Sequence, residues 1–124
     1  MMEQLINKIS TFNNIKFIYI NTNKKQTKIS INIIYENNYI NQDIEEYNKI
    51  IALIEKLNKE LLNKKIKYSI NIKSLNVLLK EVENNNERTI NELLHANIIH
   101  TKDQYYQDFT EKCKKIKILT KSNY

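Results

Sequence analysis

Three residues of this chain, His95, His100 and Cys113, belong to the types that bind transition metals or act as nucleophiles. The two histidines are five residues apart, a spacing that places them on different faces of a helix. The chain has no second cysteine to complete a ligand set or a disulfide. We therefore expect structural roles for both histidines, a packed position for Cys113, and neither a metal site nor a cofactor.

The acidic residues with a spacing suited to acid–base chemistry are Asp43, Glu45 and Glu46. They stand where a long helix is predicted to begin. Carboxylates in the first turn of a helix stabilise the positive end of its dipole. We expect that structural role for them rather than catalysis.

Lysine supplies almost all of the positive charge, because Arg88 is the only arginine and the net charge is +6 with a pI near 9.3. Lysines attract phosphate groups and also serve as ordinary solvated surface. They concentrate in one predicted loop and on the last predicted helix. The candidate nucleic-acid-binding residues are Lys24, Lys25, Lys28, Lys112, Lys114 and Lys115.

Glycine and proline are absent from all 124 residues, whereas an average chain of this length carries about nine glycines and six prolines. A P-loop, a dinucleotide-binding turn and a nucleophile elbow each need glycine, so these sites are excluded. Turns must rely on other residues, and among these Asn and Asp tolerate positive φ best. The abundance of Ile, Asn and Lys is typical of AT-rich coding sequences.

The apolar periodicity predicts the elements that position these residues. Helices are predicted at 2–12, 43–63, 75–83, 87–96 and 101–116, strands at 15–20, 29–35 and 67–73, and an extended apolar pair at 98–99. The order α-β-β-α-β-α-α-α indicates an α/β fold with a small mixed sheet of about three strands and packed helices. No internal repeat stands out. We expect one domain over residues 1–116 and a basic, frayed tail over 117–124.

This order of elements resembles that of the minimal nucleotidyltransferases, the small domains of the DNA-polymerase-β-like superfamily. Residues 18–20 resemble the family's first strand, which leads into a Gly-Ser turn. Residues 30–34 resemble its Asp-x-Asp strand, and residues 68–72 resemble its third strand, which bears a further carboxylate. Residues 93–103 resemble its closing segment. The resemblance spans residues 3–108 and implies a nucleotidyltransferase-like fold.

The resemblance also implies a catalytic centre that this chain has lost. In the family, the carboxylates hold two Mg²⁺ ions that align the nucleoside triphosphate with the attacking hydroxyl. Here Ser30 and Asn32 stand at the Asp-x-Asp positions, and Asn71 or Ser69 stands at the third position. Neutral side chains cannot offset the charge of a metal pair. The chain therefore looks like a degenerate nucleotidyltransferase, a pseudoenzyme.

The leading hypothesis is a catalytically inactive, nucleotidyltransferase-like binding protein that acts through protein or nucleic-acid contacts. One alternative is an active Mg²⁺-dependent nucleotidyltransferase with carboxylates elsewhere, such as Glu36; another is a structural subunit of a larger assembly. The single cysteine and the lack of a long apolar run predict a protein of the reducing cytoplasm with no membrane partner. The sequence does not determine the oligomeric state.

Overall fold

The computed structural model of the chain describes residues 2–36, 41–101 and 105–122. Five helices and four strands lie in these residues. In chain order they are α1 (Met2–Ser10), β1 (Ile15–Thr22), β2 (Lys28–Tyr35), α2 (Asn41–Leu61), β3 (Lys67–Ser74), α3 (Leu75–Glu83), α4 (Glu87–Leu94), β4 (Asn97–Thr101) and α5 (Tyr105–Ser122).

The strands form one mixed sheet in the order β3-β2-β1-β4. β1 pairs antiparallel with β2 on one side and with β4 on the other. β3 pairs parallel with β2, and α2 connects these two neighbours. The predicted α/β class and mixed sheet are therefore confirmed.

The prediction of about three strands in the order α-β-β-α-β-α-α-α is wrong, because the extended pair at 98–99 belongs to a fourth strand. This segment is only five residues long, and its strand pairing depends on a partner far away in the chain. Phe17 lies opposite Thr101 and Ile20 lies opposite Asn97.

Apolar residues cover both faces of the sheet, so the fold has a helical layer on each side. On one face, alternate isoleucines of β1 and β2 pack against α1 and α2. On the other face, Phe17, Tyr19 and Ile34 pack against α3, α4 and α5. In β2, Ile31 and Ile33 therefore face the layer of α1 and α2, whereas Ile34 faces the layer of α3, α4 and α5.

Phe17 is the centre of the second apolar layer and is 0% exposed. Its ring centroid lies 5.9 Å from that of Tyr19, 5.7 Å from that of Tyr106 and 5.8 Å from that of Phe109. Cys113 is buried beside these rings, as predicted, and burial raises the pKa of its thiol. The thiol is therefore a packing group rather than an activated nucleophile.

Several helix ends differ from the predicted bounds by a few residues, as is usual for helix termini. α2 begins at Asn41 rather than at Asp43, and the side chain of Asp43 lies outside the described residues. α5 continues to Ser122, through most of the predicted tail. Residues 102–104, part of the helix predicted at 101–116, lie outside the described residues. The domain boundary at residue 116 stays a prediction.

The β1–β2 hairpin turns without glycine by using the side chain of Asn23. Its Oδ1 accepts hydrogen bonds from the backbone N–H groups of Thr27 at 2.8 Å and Lys28 at 3.0 Å. Within this turn Gln26 has a φ of 56°, and Asn85, after α3, has a φ of 60°. Positive φ at asparagine agrees with expectation, whereas Gln26 shows that local hydrogen bonds can hold an unfavourable residue there.

We expect Phe17→Ala to lower the free energy of unfolding by roughly 3–5 kcal/mol, because it leaves a cavity among three rings. Urea titration followed by circular dichroism measures this change. Val77→Ala on α3 is the control, since Val77 is 46% exposed and its truncation should cost far less. Equal losses for the two variants would contradict the central position of Phe17.

Candidate functional site

The parallel pairing of β2 and β3 brings two copies of one short sequence side by side. The pattern Lys-x-Ser-Ile-Asn-Ile occurs at residues 28–33 and again at residues 67–72. The two copies pair in register, so each residue lies opposite its counterpart. Sequence reasoning overlooked this short match. The signal was present in the sequence as a six-residue match broken at one position.

The polar residues of the two copies share one face of the sheet, because side chains alternate along a strand. Three pairs result: Lys28 with Lys67, Ser30 with Ser69, and Asn32 with Asn71. We call these six residues the polar ladder. It therefore brings together the three residues that the sequence assigned to the degenerate catalytic positions, Ser30, Asn32 and Asn71.

Hydrogen bonds between amides link three strands through the polar ladder. Asn71 Nδ2 donates to Asn32 Oδ1 at 3.3 Å, and Asn32 Nδ2 donates to Asn21 Oδ1 at 3.2 Å and towards the carbonyl of Tyr19 at 3.5 Å. Asn21 Nδ2 donates to the carbonyl of Glu92 in α4 at 2.7 Å. The hydroxyls of Ser30 and Ser69 lie 3.1 Å apart. Asn32, which is only 8% exposed, thus has partners for both its amide nitrogen and its oxygen.

The carboxylate proposed as an alternative metal ligand, Glu36, lies beyond the end of β2. Its Oε2 forms an ion pair with Lys16 Nζ at 3.3 Å. Four residues of extended chain separate Glu36 from Asn32, a distance of about 13 Å. Metal–oxygen bonds are about 2 Å long, so these two side chains cannot share one Mg²⁺ ion.

A buried threonine and an ion pair join β3 to the helices that border the polar ladder. Glu81 Oε2 accepts from Lys73 Nζ at 2.8 Å and from Thr89 Oγ1 at 2.7 Å. Partial burial by itself would raise the pKa of the Glu81 carboxyl, but the hydrogen bonds from Lys73 and Thr89, with the charge of Lys73, outweigh it and lower this pKa. Sequence reasoning missed this contact, since the three residues lie on β3, α3 and α4.

Lysines surround the end of the sheet at which β2 and β3 begin. Lys24, Lys25 and Lys28 are exposed there, and their binding role stays a prediction. The backbone N–H of Lys67 donates to the carbonyl of Thr27 at 3.0 Å, which brings the loop before β3 beside the hairpin. We define the basic end as the six exposed lysines of these two segments. They are Lys24, Lys25, Lys28, Lys64, Lys65 and Lys67.

Sequence reasoning missed the second half of the basic end, Lys64, Lys65 and Lys67. One signal could have indicated it. Residues 21–35 and 61–80 contain no Asp or Glu at all, so the lysines of both segments are uncompensated locally. Which segments meet is a matter of topology, and the parallel pairing of β2 and β3 decides it.

The other predicted lysines lie on α5 and are not joined to the basic end. Lys112 Nζ forms an ion pair with Glu83 Oε1 at 3.0 Å, while Lys114 and Lys115 are exposed. α5 packs over Phe17, which lies in the first half of β1. The hairpin loop that carries Lys24 and Lys25 lies at the other end of this strand, after Thr22. These lysines therefore form a separate surface.

The histidines lie at the end of α4 and on β4, and Glu46 of the acidic cluster contacts the turn before β1. His95 is exposed, and its backbone N–H donates a hydrogen bond to the carbonyl of Asn91 at the end of α4. His100 lies on β4. Glu46 accepts hydrogen bonds from Asn14 rather than only facing solvent. Among the described residues, no group of three or more His, Cys, Asp and Glu side chains is arranged to hold a metal ion.

Comparisons with known proteins do not assign this chain to a family. No protein-family model, no curated protein and no solved structure matches it. The described helices include none with the length and apolar character needed to cross a membrane. Function is therefore inferred from the geometry of the polar ladder and the basic end.

We expect Asn32→Asp to destabilise the fold by about 1–3 kcal/mol at neutral pH. The new carboxylate cannot donate to Asn21 Oδ1, and it is buried. Desolvation raises the folded-state pKa of such a group, so the charge-dependent loss should be greatest above that pKa, shrink as the pH falls from it towards about 3.9, the unfolded value, and be absent below about 3.9. Thermal melts from pH 3 to pH 8 measure this. Asn48→Asp at an exposed position of α2 is the matched control, and an equal loss there would contradict the assigned burial.

We expect Glu81→Gln to remove a stabilising contribution that depends on pH. The pKa of Glu81 is lowered on folding, so its contribution is present above the unfolded pKa and is lost as the pH falls through the lower, folded value. Urea midpoints of wild type and variant should differ at pH 7 and converge near pH 3. Glu83→Gln is the control, because its ion pair with Lys112 is exposed and worth little. A difference that is the same at both pH values would contradict the prediction.

Proposed function

We propose that this protein is a catalytically inactive, nucleotidyltransferase-like binding protein whose polar ladder and basic end bind nucleic acid. One observation carries the proposal: the in-register pairs of lysine, serine and asparagine that β2 and β3 present on one face of the sheet. Lysines at one end supply charge for phosphates, and the exposed Ser69 and Asn71 beside them can donate and accept hydrogen bonds.

The inactive part of the proposal rests on the chemistry of the polar ladder. Phosphoryl transfer by two Mg²⁺ ions needs charged oxygen ligands close together. Asn32 and Asn71 carry no charge, and each is engaged by a neighbouring amide. Glu36, which follows β2 and lies about 13 Å from Asn32, is too distant to replace them as a metal ligand. In this proposal the polar ladder takes the place of the transferase site but lacks the charged groups that would hold its metals.

The nucleic-acid part of the proposal rests on charge density. Lys28 and Lys67 lie on adjacent strands, which are about 4.8 Å apart, and four further lysines flank them. The two side chains leave neighbouring positions on the same face, so their like charges repel and a bound phosphate would relieve that repulsion. Neutralising phosphates also releases counterions, so binding should weaken steeply with salt. The ion-paired Lys112 is a poorer candidate for such contact.

Protein contact is a second candidate route, and the position of β3 favours it. β3 is an edge strand of the sheet, with eight residues available to pair with a strand from another protein. Lysines near both of its ends oppose pairing with a basic strand. Recovery of one protein from the source cell at a salt concentration that abolishes nucleic-acid binding would support this route.

We expect the wild-type protein to bind a labelled single-stranded RNA or DNA of about 20 nucleotides at low salt. The double variant Lys28→Gln/Lys67→Gln should bind at least about tenfold more weakly and show a shallower salt dependence, since it loses two phosphate contacts. Fluorescence anisotropy at several salt concentrations measures both. Lys8→Gln/Lys49→Gln removes the same charge from exposed positions on α1 and α2 and should bind nearly as wild type does.

Two outcomes would contradict the proposal. Equal weakening in the two double variants would show that binding depends on net charge alone. Absence of binding to either nucleic acid at low salt would reject nucleic-acid contact outright. Calorimetry with Mg²⁺ and ATP separately tests the claim of catalytic inactivity. Micromolar affinity for Mg²⁺ and ATP would favour the alternative of an active nucleotidyltransferase.

A further inference from the structure

A small cleft opens at the opposite end of the sheet from the basic end. It lies between the end of β2, the turn before β1 and the first turns of α2, and its volume is about 180 Å³. We call it the acidic cleft. Its lining residues are Asn14, Tyr35, Glu36, Ile44, Glu46, Tyr47 and Ile50.

The two carboxylates of the acidic cleft are compensated differently. Glu36 is paired with Lys16, so its charge is balanced. Glu46 is held instead by a neutral residue: Asn14 Nδ2 donates to Oε2 at 2.7 Å, and the backbone N–H of Asn14 lies 3.4 Å from Oε1. Within the described residues no lysine, arginine or histidine forms an ion pair with Glu46. Among the described residues, Glu46 is thus the carboxylate of the cleft that is held by a neutral partner, in a protein of net charge +6.

Aromatic and apolar groups complete the acidic cleft. The rings of Tyr35 and Tyr47 lie 5.5 Å apart at an angle of 53°. Ile44 is 62% exposed and Tyr47 is 37% exposed, so the rim is unusually apolar for a charged site. Aromatic rings attract cations through their faces, and an alkyl chain attached to the cation can cover the apolar rim.

We propose that the acidic cleft binds one organic monocation, an ammonium or guanidinium group on a short alkyl chain. Glu46 provides the ion pair, the Tyr35–Tyr47 pair contacts the cation, and Ile44 and Ile50 contact the chain. A volume of about 180 Å³ holds roughly six water molecules, which matches a butylammonium-sized group. A free amine and a lysine or arginine side chain of another molecule share this chemistry.

The experiment is a titration of the isotope-labelled, full-length protein followed by ¹H–¹⁵N NMR. The probe is n-butylammonium, with 1-butanol as its neutral counterpart. We expect n-butylammonium to shift the signals of Tyr47 and Ile50 with a Kd of about 1–10 mM, and 1-butanol to bind more weakly. N-acetyl-lysine N-methylamide in a parallel titration distinguishes the sources. Tighter binding than n-butylammonium indicates a side chain of another molecule, and weaker binding indicates a free amine.

Matched variants separate the cleft from general electrostatics. Glu46→Gln keeps an oxygen that can accept from Asn14 and should weaken n-butylammonium binding at least about fivefold. Glu45→Gln removes the same charge from the neighbouring exposed position and should change the affinity less than about twofold. Tyr47→Leu should weaken binding several-fold through loss of the ring.

Three results would overturn the inference. The first is an absence of signal shifts at about 50 mM n-butylammonium, well above the expected Kd. The second is equal weakening by Glu45→Gln and Glu46→Gln. The third is binding of 1-butanol as tight as that of n-butylammonium, which would make the cleft a purely apolar site. Each of these outcomes is independent of whether the basic end binds nucleic acid.

Discussion

The parallel, in-register pairing of β2 with β3 is the constraint on which the rest of the structure depends. It places Ile31 beside Ile70 and Ile33 beside Ile72 on the face that packs against α1 and α2. On the other face the same register places serine beside serine and asparagine beside asparagine. A slip by one residue would turn the isoleucines to the polar face and bury the amides, so the apolar core and the polar ladder fix each other.

The same pairing gives the molecule its electrical polarity. The parallel strands start together, so the lysines that precede them accumulate at one end of the sheet. The far end of β2, about 23 Å away along the strand, leads into Glu36 and faces Glu46 of α2. The two proposed sites therefore lie at opposite ends of the sheet, the lysines of the basic end at one and Glu46 at the other.

Sequence reasoning worked best where a property is local. The long helix α2, the strands β1, β2 and β3, and the burial of Cys113 all follow from periodicity within short windows. It failed at β4, because a five-residue segment becomes a strand only by pairing with β1. It named Ser30, Asn32 and Asn71 together through a family resemblance; the pairing of β2 with β3 makes them neighbours, and their functional role stays a prediction. It overlooked Asn21 and Glu81, whose roles depend on contacts between elements distant in sequence.

By itself, the sequence determined what chemistry the protein lacks and what charge it carries. Because the chain has no glycine, it cannot form a glycine-rich phosphate-binding loop. Its excess of lysine gives it a net charge of +6. Only the tertiary structure decided that the two Lys-x-Ser-Ile-Asn-Ile segments, 39 residues apart, pair with each other. Neither segment can form the polar ladder or the basic end alone. A cross-strand pair exists only after the chain has folded, and its register reflects the burial of the isoleucines behind it.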